Sequence, residues 1–242
     1  MKAGTKPIDK RWPIGPKAIL AVTLLIAFGI AAEYIEQGLF QDSFRPSSDS
    51  FPSPISNWDA NLFLWINNGL ADSYLGLFFS ILTRLGSTEF VLIASVLLYL
   101  TGRRKEGTLL LASAIIGTLI TLPLKLAIPR PRPFVTIPAA IALGREAGSS
   151  FPSGHTMRAF ASAYISSNLS PKVSILAYLL AGLVGFSRVY LGQHYPSDVL
   201  AGASIGLLSG YLTLHYRNKI MRTAVLPGMA RPGRPTGSSR LN

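Results

Sequence analysis

Long apolar runs separated by short polar segments dominate the sequence of this 242-residue chain. A helix that crosses the hydrocarbon core of a bilayer needs about 20 mostly apolar residues. Residues 74–85 are apolar but too short to cross alone, and a second short run follows them. The pattern predicts an all-α protein, a six-transmembrane-helix bundle, with spans at residues 18–35, 87–101, 107–128, 157–169, 173–186 and 197–215.

The segments between and beyond these spans complete the predicted organisation. Residues 37–57 are polar and proline-rich and indicate a loop, while residues 58–67 carry Trp58 and Trp65. Because tryptophan prefers the headgroup level, we expect an interfacial helix there, in the first outer loop. Residues 1–17 form a cytoplasmic N-terminus, residues 18–215 the membrane domain, and residues 216–242 a basic, disordered cytoplasmic tail. The first apolar run also fits a secretory signal, since residues 29–31 offer a small-x-small cleavage site.

Composition supports a membrane protein over a nucleic-acid-binding one. Charged residues make up 14% of the chain, against about 25% in a typical soluble domain. A net charge of +12 would suggest a nucleic-acid partner in a soluble protein. Here long apolar runs separate the basic clusters, so we expect the bilayer as partner and no nucleic acid. The chain has no cysteine, which excludes disulfides and thiolate metal sites.

The distribution of Lys and Arg predicts the orientation in the membrane. Cytoplasmic loops carry an excess of these residues. With a cytoplasmic N-terminus, 15 of the 23 basic residues fall on the inner side, including the tail. Both termini are therefore predicted to be cytoplasmic, in a membrane that we expect to be the plasma membrane.

The basic residues on the outer side cluster at the ends of predicted spans. Lys125 lies in the last turn of the third span, and Arg132 follows seven residues later across a proline-broken segment. Alone, Lys125 fits a cation that snorkels at a helix C-terminus. Arg130 and Arg132 alone fit interfacial charges that bind lipid headgroups.

A second cluster, Ser153-Gly154-His155, directly precedes the fourth span. A Ser-Gly pair at a helix N-terminus presents a hydroxyl and backbone N–H groups, which suit a phosphate oxygen. The simpler alternative is that Ser153 caps the helix and Gly154 supports a tight turn. The tetrapeptide Pro152-Ser153-Gly154-His155 alone does not decide between the two interpretations.

The third cluster joins Arg188, His194 and Asp198 around the start of the sixth span. Pro196 favours a helix that begins near residue 197, with Asp198 in its first turn. The carboxylate could reach back to the imidazole and raise the basicity of its other ring nitrogen. Alternatively, Asp198 is a first-turn carboxylate that the helix dipole stabilises.

Topology brings the three clusters to one face. The third and fifth spans end on the outer side, and the fourth and sixth begin there. Unpaired cations near hydrocarbon are costly, so several together imply a bound anion. Three cations with a single carboxylate among them favour phosphate over a metal ion. The other acid in these outer loops, Glu146, stands beside Arg145 and outside the clusters.

At this point the sequence resembles the type 2 phosphatidic acid phosphatase family, relatives of the vanadium-dependent haloperoxidases. The family signature has three parts, Lys-x6-Arg-Pro, Pro-Ser-Gly-His and Ser-Arg-x5-His-x3-Asp. All three match here in order and spacing, over roughly residues 87–215: Lys125 to Arg132-Pro133, Pro152 to His155, and Ser187-Arg188 through His194 to Asp198.

The resemblance implies a mechanism through a phosphohistidine, without metal or other cofactor. It implies that His194 attacks phosphorus, that Asp198 orients and activates it, and that His155 protonates the leaving oxygen. It also implies a set of residues that hold the phosphoryl oxygens: Lys125, Arg132, Ser153, Gly154 and Arg188.

The predicted function is hydrolysis of a membrane lipid phosphate or diphosphate at the outer face. A polyprenyl diphosphate is the preferred substrate, because carrier lipids are left on that side after glycan transfer. Phosphatidic acid or phosphatidylglycerophosphate would need the same phosphate site. A lipid phosphotransferase is a further enzymatic alternative. A non-catalytic headgroup-binding protein is disfavoured because His155, His194 and Asp198 are all present, and a soluble haloperoxidase-like enzyme is disfavoured by the spans.

Overall fold

The computed structural model describes residues 51–144 and 146–224. The first predicted span, residues 1–17 and most of the loop at residues 37–57 lie outside them. Every regular element in the described part is a helix, which confirms the all-α prediction. In chain order these are α1 (Ser53–Asn67), α2 (Ser73–Leu82), a 3-10 turn (Thr83–Gly86), α3 (Thr88–Leu100), α4 (Arg104–Ala127), α5 (Pro133–Thr136), α6 (Gly154–Ser166), α7 (Pro171–Tyr190), α8 (Pro196–His215) and α9 (Arg217–Ala224).

A helix forms at each predicted span in the described residues, but their lengths differ. Three helices, α4, α7 and α8, are long and apolar enough to cross a membrane. α3 and α6 have 13 residues each, so each spans only about 20 Å at 1.5 Å per residue. The apolar segment that leads into α3 joins it as a bent pair, Ser73–Gly86 with Thr88–Leu100, at an angle of 54°. Within residues 51–144 and 146–224, length and composition therefore give three spans, or four with the bent pair, and six spans for the chain stay a prediction.

Local sequence signals explain where these helices begin. Ser87 accepts a hydrogen bond from the backbone N–H of Phe90 and caps α3. Ser170 caps α7, whose first residue is a proline, a favoured start because proline lacks only an N–H that would be unpaired anyway. Pro196 begins α8 in the same way.

α1 packs on the bundle through one face and exposes the other. Phe63 and Ile66 join the core cluster formed with Tyr190 and Tyr195. Trp65, on the other face, is 64% exposed. An exposed tryptophan agrees with an interfacial helix, and the depth of α1 in a bilayer remains a prediction.

A further helix, α9, covers Arg217–Ala224, where the sequence predicted disorder from residue 216 onward. Its apolar residues include Ile220, and α9 contacts both α4 and α8. Residues 225–242 lie outside the described part of the chain. The predicted tail is therefore helical in its first segment.

α6 is the central helix of the bundle and packs against α4, α7 and α8. Its approach to α8 depends on glycines at every fourth position, Gly202, Gly206 and Gly210. A Cβ at Gly202 or Gly206 would meet backbone oxygens at the start of α6, those of Ser153 and Met157. Small residues at this spacing let two helix backbones come close together. This close contact holds the N-terminus of α6 beside the N-terminus of α8, where two predicted clusters lie.

Candidate active site

The ends of four helices and the coil at residues 137–144 and 146–153 surround one cavity of about 390 Å³. The sequence predicted that the end of α4, the start of α6, the end of α7 and the start of α8 share one face, and their side chains do converge here. Six of the eight predicted site residues line the cavity: Lys125, Arg132, Gly154, His155, Arg188 and His194. The other two, Ser153 and Asp198, lie behind its wall, and both are fully buried.

Arg132 is fixed in the cavity wall by backbone oxygens. Its Nε donates to Gly148 O at 3.3 Å and its Nη2 to Ala147 O at 3.0 Å, while Nη1 donates to Gln193 O at 3.1 Å. Only 3% of the residue is exposed. A guanidinium held on several sides keeps its direction without further ordering when an anion binds, which increases its value as an electrostatic stabiliser.

Two further cations complete the basic wall. Lys125, in the last turn of α4, donates to Ser149 O at 3.3 Å. Arg188, in the last turn of α7, donates from Nη1 to Thr83 Oγ1 at 3.1 Å. Both residues are buried and both line the cavity. These two hydrogen bonds position the side chains, and Arg188 also forms an ion pair with Glu146.

His194 has a defined tautomer because its Nδ1 faces a backbone oxygen. Nδ1 lies 2.7 Å from Ser150 O, and a carbonyl oxygen can only accept, so Nδ1 carries the hydrogen. In the neutral ring Nε2 then carries the lone pair. Arg132 Nη1 lies 3.4 Å from Nε2 and donates to it. The unprotonated nitrogen therefore stands next to an anion-binding group.

Burial lowers the pKa of His194 to about 4. The nearby Asp198 carboxylate opposes this shift, while the positive charges of Arg132 and Arg188 add to it. At neutral pH the ring is therefore uncharged, and Nε2 keeps its lone pair. A nucleophilic imidazole needs this state.

Asp198 reaches the imidazole less directly than the sequence suggested. Its Oδ2 lies 3.6 Å from His194 Nδ1, and accepts hydrogen bonds from Ser150 Oγ at 2.5 Å and the Tyr195 backbone N–H at 2.9 Å. Ser150 thus contacts both groups, the carboxylate through its hydroxyl and the imidazole through its carbonyl. Asp198 therefore holds Ser150 in place, and Ser150 in turn orients the ring of His194.

Arg130 forms a buried ion-pair network that sequence reasoning missed. It was considered as a headgroup-binding interfacial charge, but none of its side chain is exposed. Its guanidinium pairs with Asp198 Oδ1 and with Asp59 Oδ2 of α1, each at 2.8 Å. The ring centroids of Phe51 and Tyr195 lie 4.1 and 3.9 Å from its Cζ. Arg130 therefore ties α1 to the first turn of α8, and headgroup binding by this residue is ruled out by its burial.

In the Ser153-Gly154-His155 cluster, Ser153 caps the helix and the other two residues line the cavity. Ser153 Oγ accepts from the Thr156 backbone N–H at 3.5 Å and from Thr156 Oγ1 at 3.0 Å, so its hydroxyl caps α6 as the simpler interpretation proposed. Its backbone N–H donates to Asp198 O at 3.1 Å. Gly154 and His155 follow at the start of α6 and line the cavity.

Comparison with known proteins agrees with this geometry. The sequence model of the PAP2 superfamily matches residues 106–222. Undecaprenyl-diphosphatase BcrC of Bacillus subtilis is 30% identical over 136 residues, 53% of this chain and 70% of that protein. Phosphatidylglycerophosphatase B of Bacillus subtilis is 35% identical over 156 residues, 58% of this chain and 74% of that protein. The chain belongs to the PAP2 superfamily. It is a membrane lipid phosphatase.

Solved structures of PAP2 proteins have the same fold. The crystal structure titled as the first transmembrane PAP2 type phosphatidylglycerolphosphate phosphatase, from Bacillus subtilis, superposes with a TM-score of 0.62 at 27% identity. The match covers 82% of this chain and 96% of that chain. The resemblance that the sequence motifs indicated is thereby confirmed.

The same cavity is also lined by charged residues that lie outside the three motifs. Arg84 and Arg158 add two cations to its wall, and Glu89 and Glu146 add two carboxylates. Arg158 donates to Gly86 O at 2.8 Å. Arg84 follows α2 and Glu89 lies in the first turn of α3, so no motif spacing links them to the clusters. Glu146 was placed outside the clusters, but its carboxylate contacts two of the motif arginines.

Proposed function

We propose that the protein hydrolyses a lipid phosphate or diphosphate through a phosphohistidine at His194. The observation that carries this proposal is the position of His194 Nε2. It is the unprotonated nitrogen of a neutral, buried ring, and it lies among the basic residues that line one cavity. Nucleophile and anion-binding groups at one point are what phosphoryl transfer needs.

In the first step, His194 Nε2 attacks phosphorus and the bond from phosphorus to the leaving oxygen breaks. His155 lines the same cavity and donates a proton to that oxygen. The phosphorylated ring becomes positively charged, with Nδ1–H held by Ser150 O. The Asp198 carboxylate, 3.6 Å from Nδ1, stabilises this charge.

In the second step, His155 accepts a proton from water, which attacks phosphorus and releases His194 and orthophosphate. Lys125, Arg132 and Arg188 hold the phosphoryl oxygens in both steps and stabilise charge in the transition state. The backbone N–H groups at the start of α6, from Gly154 onward, add donors there. Ser153 supports them as the helix cap. The residues supply nucleophile, acid and charge stabilisation, so the reaction needs no metal ion.

The membrane arrangement is part of the proposal. We assign six spans, both termini to the cytoplasm, and the cavity to the extracytoplasmic face of the plasma membrane, with residues 58–67 at the interface. The support is the excess of Lys and Arg on the opposite side. The domain limits stay as predicted, with residues 18–215 forming the membrane domain.

Two single-cysteine variants test the orientation, because the chain has no cysteine of its own. Ala139 is exposed in the coil beside the cavity, and Lys105 is exposed in the first turn of α4, at the other end of that helix. In intact cells, a membrane-impermeant thiol reagent should label Ala139→Cys and not Lys105→Cys. Labelling of Lys105→Cys alone would reverse the topology.

For the substrate we favour a polyprenyl diphosphate. Undecaprenyl-diphosphatase BcrC supports that choice, and the match to phosphatidylglycerophosphatase B supports phosphatidylglycerophosphate as the second candidate. Phosphatidic acid presents the same terminal phosphate. All three place a phosphoryl group at a membrane surface, so the phosphate site itself does not discriminate among them.

Phosphate release by the purified protein in detergent, measured in EDTA, tests the reaction class and the substrate together. We expect turnover of lipid phosphates without added metal, with the highest kcat/KM for a polyprenyl diphosphate in a panel that includes phosphatidylglycerophosphate and phosphatidic acid. Strict dependence on added Mg²⁺ would contradict the metal-free mechanism. A higher kcat/KM for phosphatidylglycerophosphate would move the assignment to the second candidate.

A further inference from the structure

Glu146 lies between the two arginines to which we assign the phosphoryl group. Its Oε2 is 3.3 Å from Arg132 Nη1, and its Oε1 is 2.5 Å from Arg188 Nη2. A carboxylate that bridges two guanidinium groups in this way satisfies the donors that a phosphate oxygen would use. The coil between α5 and α6 therefore delivers an anion into the cationic wall of the cavity.

Glu146 contacts two guanidinium groups that line the cavity, and several other nitrogens of these groups donate to protein oxygens. Arg132 directs Nε and Nη2 to backbone oxygens of the coil. Arg188 directs Nη1 to Thr83 Oγ1. Arg132 Nη1 also donates to Gln193 O at 3.1 Å and lies 3.4 Å from His194 Nε2. A phosphate bound beside His194 therefore meets this nitrogen, which contacts Glu146 as Arg188 Nη2 does.

Glu146 is charged at neutral pH. Burial would raise the pKa of its carboxyl group, but the positive charges around it, that of Arg188 first, hold that pKa well below its ordinary value. Protonation therefore does not release the carboxylate near neutral pH. Only another anion with comparable affinity for the two arginines replaces it.

The backbone around Glu146 permits such a displacement. Gly144 and Gly148 flank it and have φ of +129° and +87°, values that glycine adopts at little cost. The Glu146 side chain is 38% exposed, so its carboxylate can reach water when it leaves the arginines. Its backbone N–H is held by Gln193 Oε1 at 3.2 Å, which keeps the residue beside the cavity.

We propose that Glu146 is a built-in competitor for the phosphoryl group, which holds Arg132 and Arg188 until a substrate phosphate displaces it. The inference rests on the proposed phosphate site and adds a determinant of its affinity. Orthophosphate displaces the carboxylate through its phosphate group alone, whereas the lipid part of a lipid phosphate adds further contacts with the protein. Glu146 therefore weakens retention of the orthophosphate product.

Competitive inhibition by orthophosphate, measured on the full-length protein in detergent, tests this inference. The structure predicts that Glu146→Gln lowers the inhibition constant of orthophosphate about tenfold or more, and lowers KM for the lipid substrate in the same direction. Glu146→Ala should do the same, because alanine has neither the carboxylate nor a side-chain amide that could form hydrogen bonds in its place. An unchanged inhibition constant in both variants would overturn the proposal, and a raised one would show that Glu146 instead holds the arginines in place for phosphate.

A matched control separates this specific competition from a general charge effect. Glu89 lines the same cavity from the first turn of α3, so Glu89→Gln removes an equal charge. It should change the inhibition constant about twofold or less. If Glu89→Gln gained as much affinity for orthophosphate as Glu146→Gln, the effect would come from net charge. That result would contradict direct competition.

Failure of the inference is distinguishable from failure of the proposed function. If orthophosphate inhibits the original enzyme competitively and His194→Ala is inactive, the site is correct and the Glu146 variants alone decide the inference. If orthophosphate does not compete with the lipid substrate, both the phosphate site and the role of Glu146 are wrong.

Discussion

Replacing His194 by alanine is expected to lower kcat by about 10⁴-fold or more, the scale seen when a covalent nucleophile is removed. His194 is the group that forms the bond to phosphorus, and within the described part of the chain the other cavity-lining histidine, His155, has a different assigned role. The measurement is initial-rate phosphate release in EDTA by protein whose melting temperature matches that of the original. Activity within tenfold of the original enzyme would eliminate His194 as nucleophile.

His215→Ala is the matched control for loss of a histidine. His215 ends α8 at the opposite end from the site and stacks on Tyr211, with ring centroids 5.7 Å apart. Its removal changes no group in the cavity, so kcat should stay within about twofold. A comparable loss in both variants would point to a general effect on folding or membrane insertion.

The second large effect is expected for Asp198→Asn, a loss in kcat of about 10³- to 10⁴-fold with a smaller change in KM. The amide keeps the size of the side chain but removes the negative charge 3.6 Å from His194 Nδ1. The positive charge that develops on the ring during phosphorylation then lacks its counter-charge, and comparable carboxylate-to-amide changes beside catalytic histidines have effects of this scale. Steady-state kinetics at saturating lipid substrate measures it.

Asp59→Asn separates catalysis from the burial of Arg130. Asp59 and Asp198 contact the same guanidinium at the same distance, 2.8 Å, so either substitution leaves Arg130 with one carboxylate. Removing one partner of a buried ion pair is destabilising, and both variants should melt at lower temperature. Asp59→Asn should nevertheless retain kcat within about tenfold. An equal loss of kcat in both would show that Asp198 acts only by neutralising Arg130.

The site was predictable from sequence because its motifs lie at helix ends. Proline and serine signals mark where α7 and α8 begin, and an alternating order of spans returns every second helix end to one face. That reasoning places Lys125, Arg132, Arg188 and His194 together, as the cavity shows. Helix-end signals and the distribution of Lys and Arg predict which residues lie close together. They do not predict which atoms are in contact.

The contacts that sequence reasoning missed are made by partners far apart in the chain. Arg130 and Asp59 are separated by 71 positions, and Arg188 and Glu146 by 42. No periodicity links such pairs, and a single arginine between prolines has the same local pattern at an interface as in a core. The role of Ser150 was equally hidden, because its contact with the imidazole uses a backbone carbonyl. Such contacts depend on the path of the coil at residues 137–144 and 146–153.

The length of an apolar run does not by itself predict the number of spans in this fold. Residues 87–101 and 157–169 are apolar enough to be predicted as spans, and each position forms a helix of only 13 residues. α6 is central and short, and α4, α7 and α8 surround it. A helix packed among neighbours does not need the full hydrocarbon thickness, since protein replaces lipid around it.

Trapping the covalent intermediate tests directly whether His194 is the nucleophile. The enzyme would be mixed with a lipid substrate carrying ³²P at the scissile phosphate, in EDTA, quenched in alkali within one turnover and digested for peptide mapping. We expect label on the peptide that contains His194, stable in alkali and lost in acid, and absent from His194→Ala. Turnover in EDTA with label on another residue, or single-turnover product formation with no labelled peptide at any time, would contradict it.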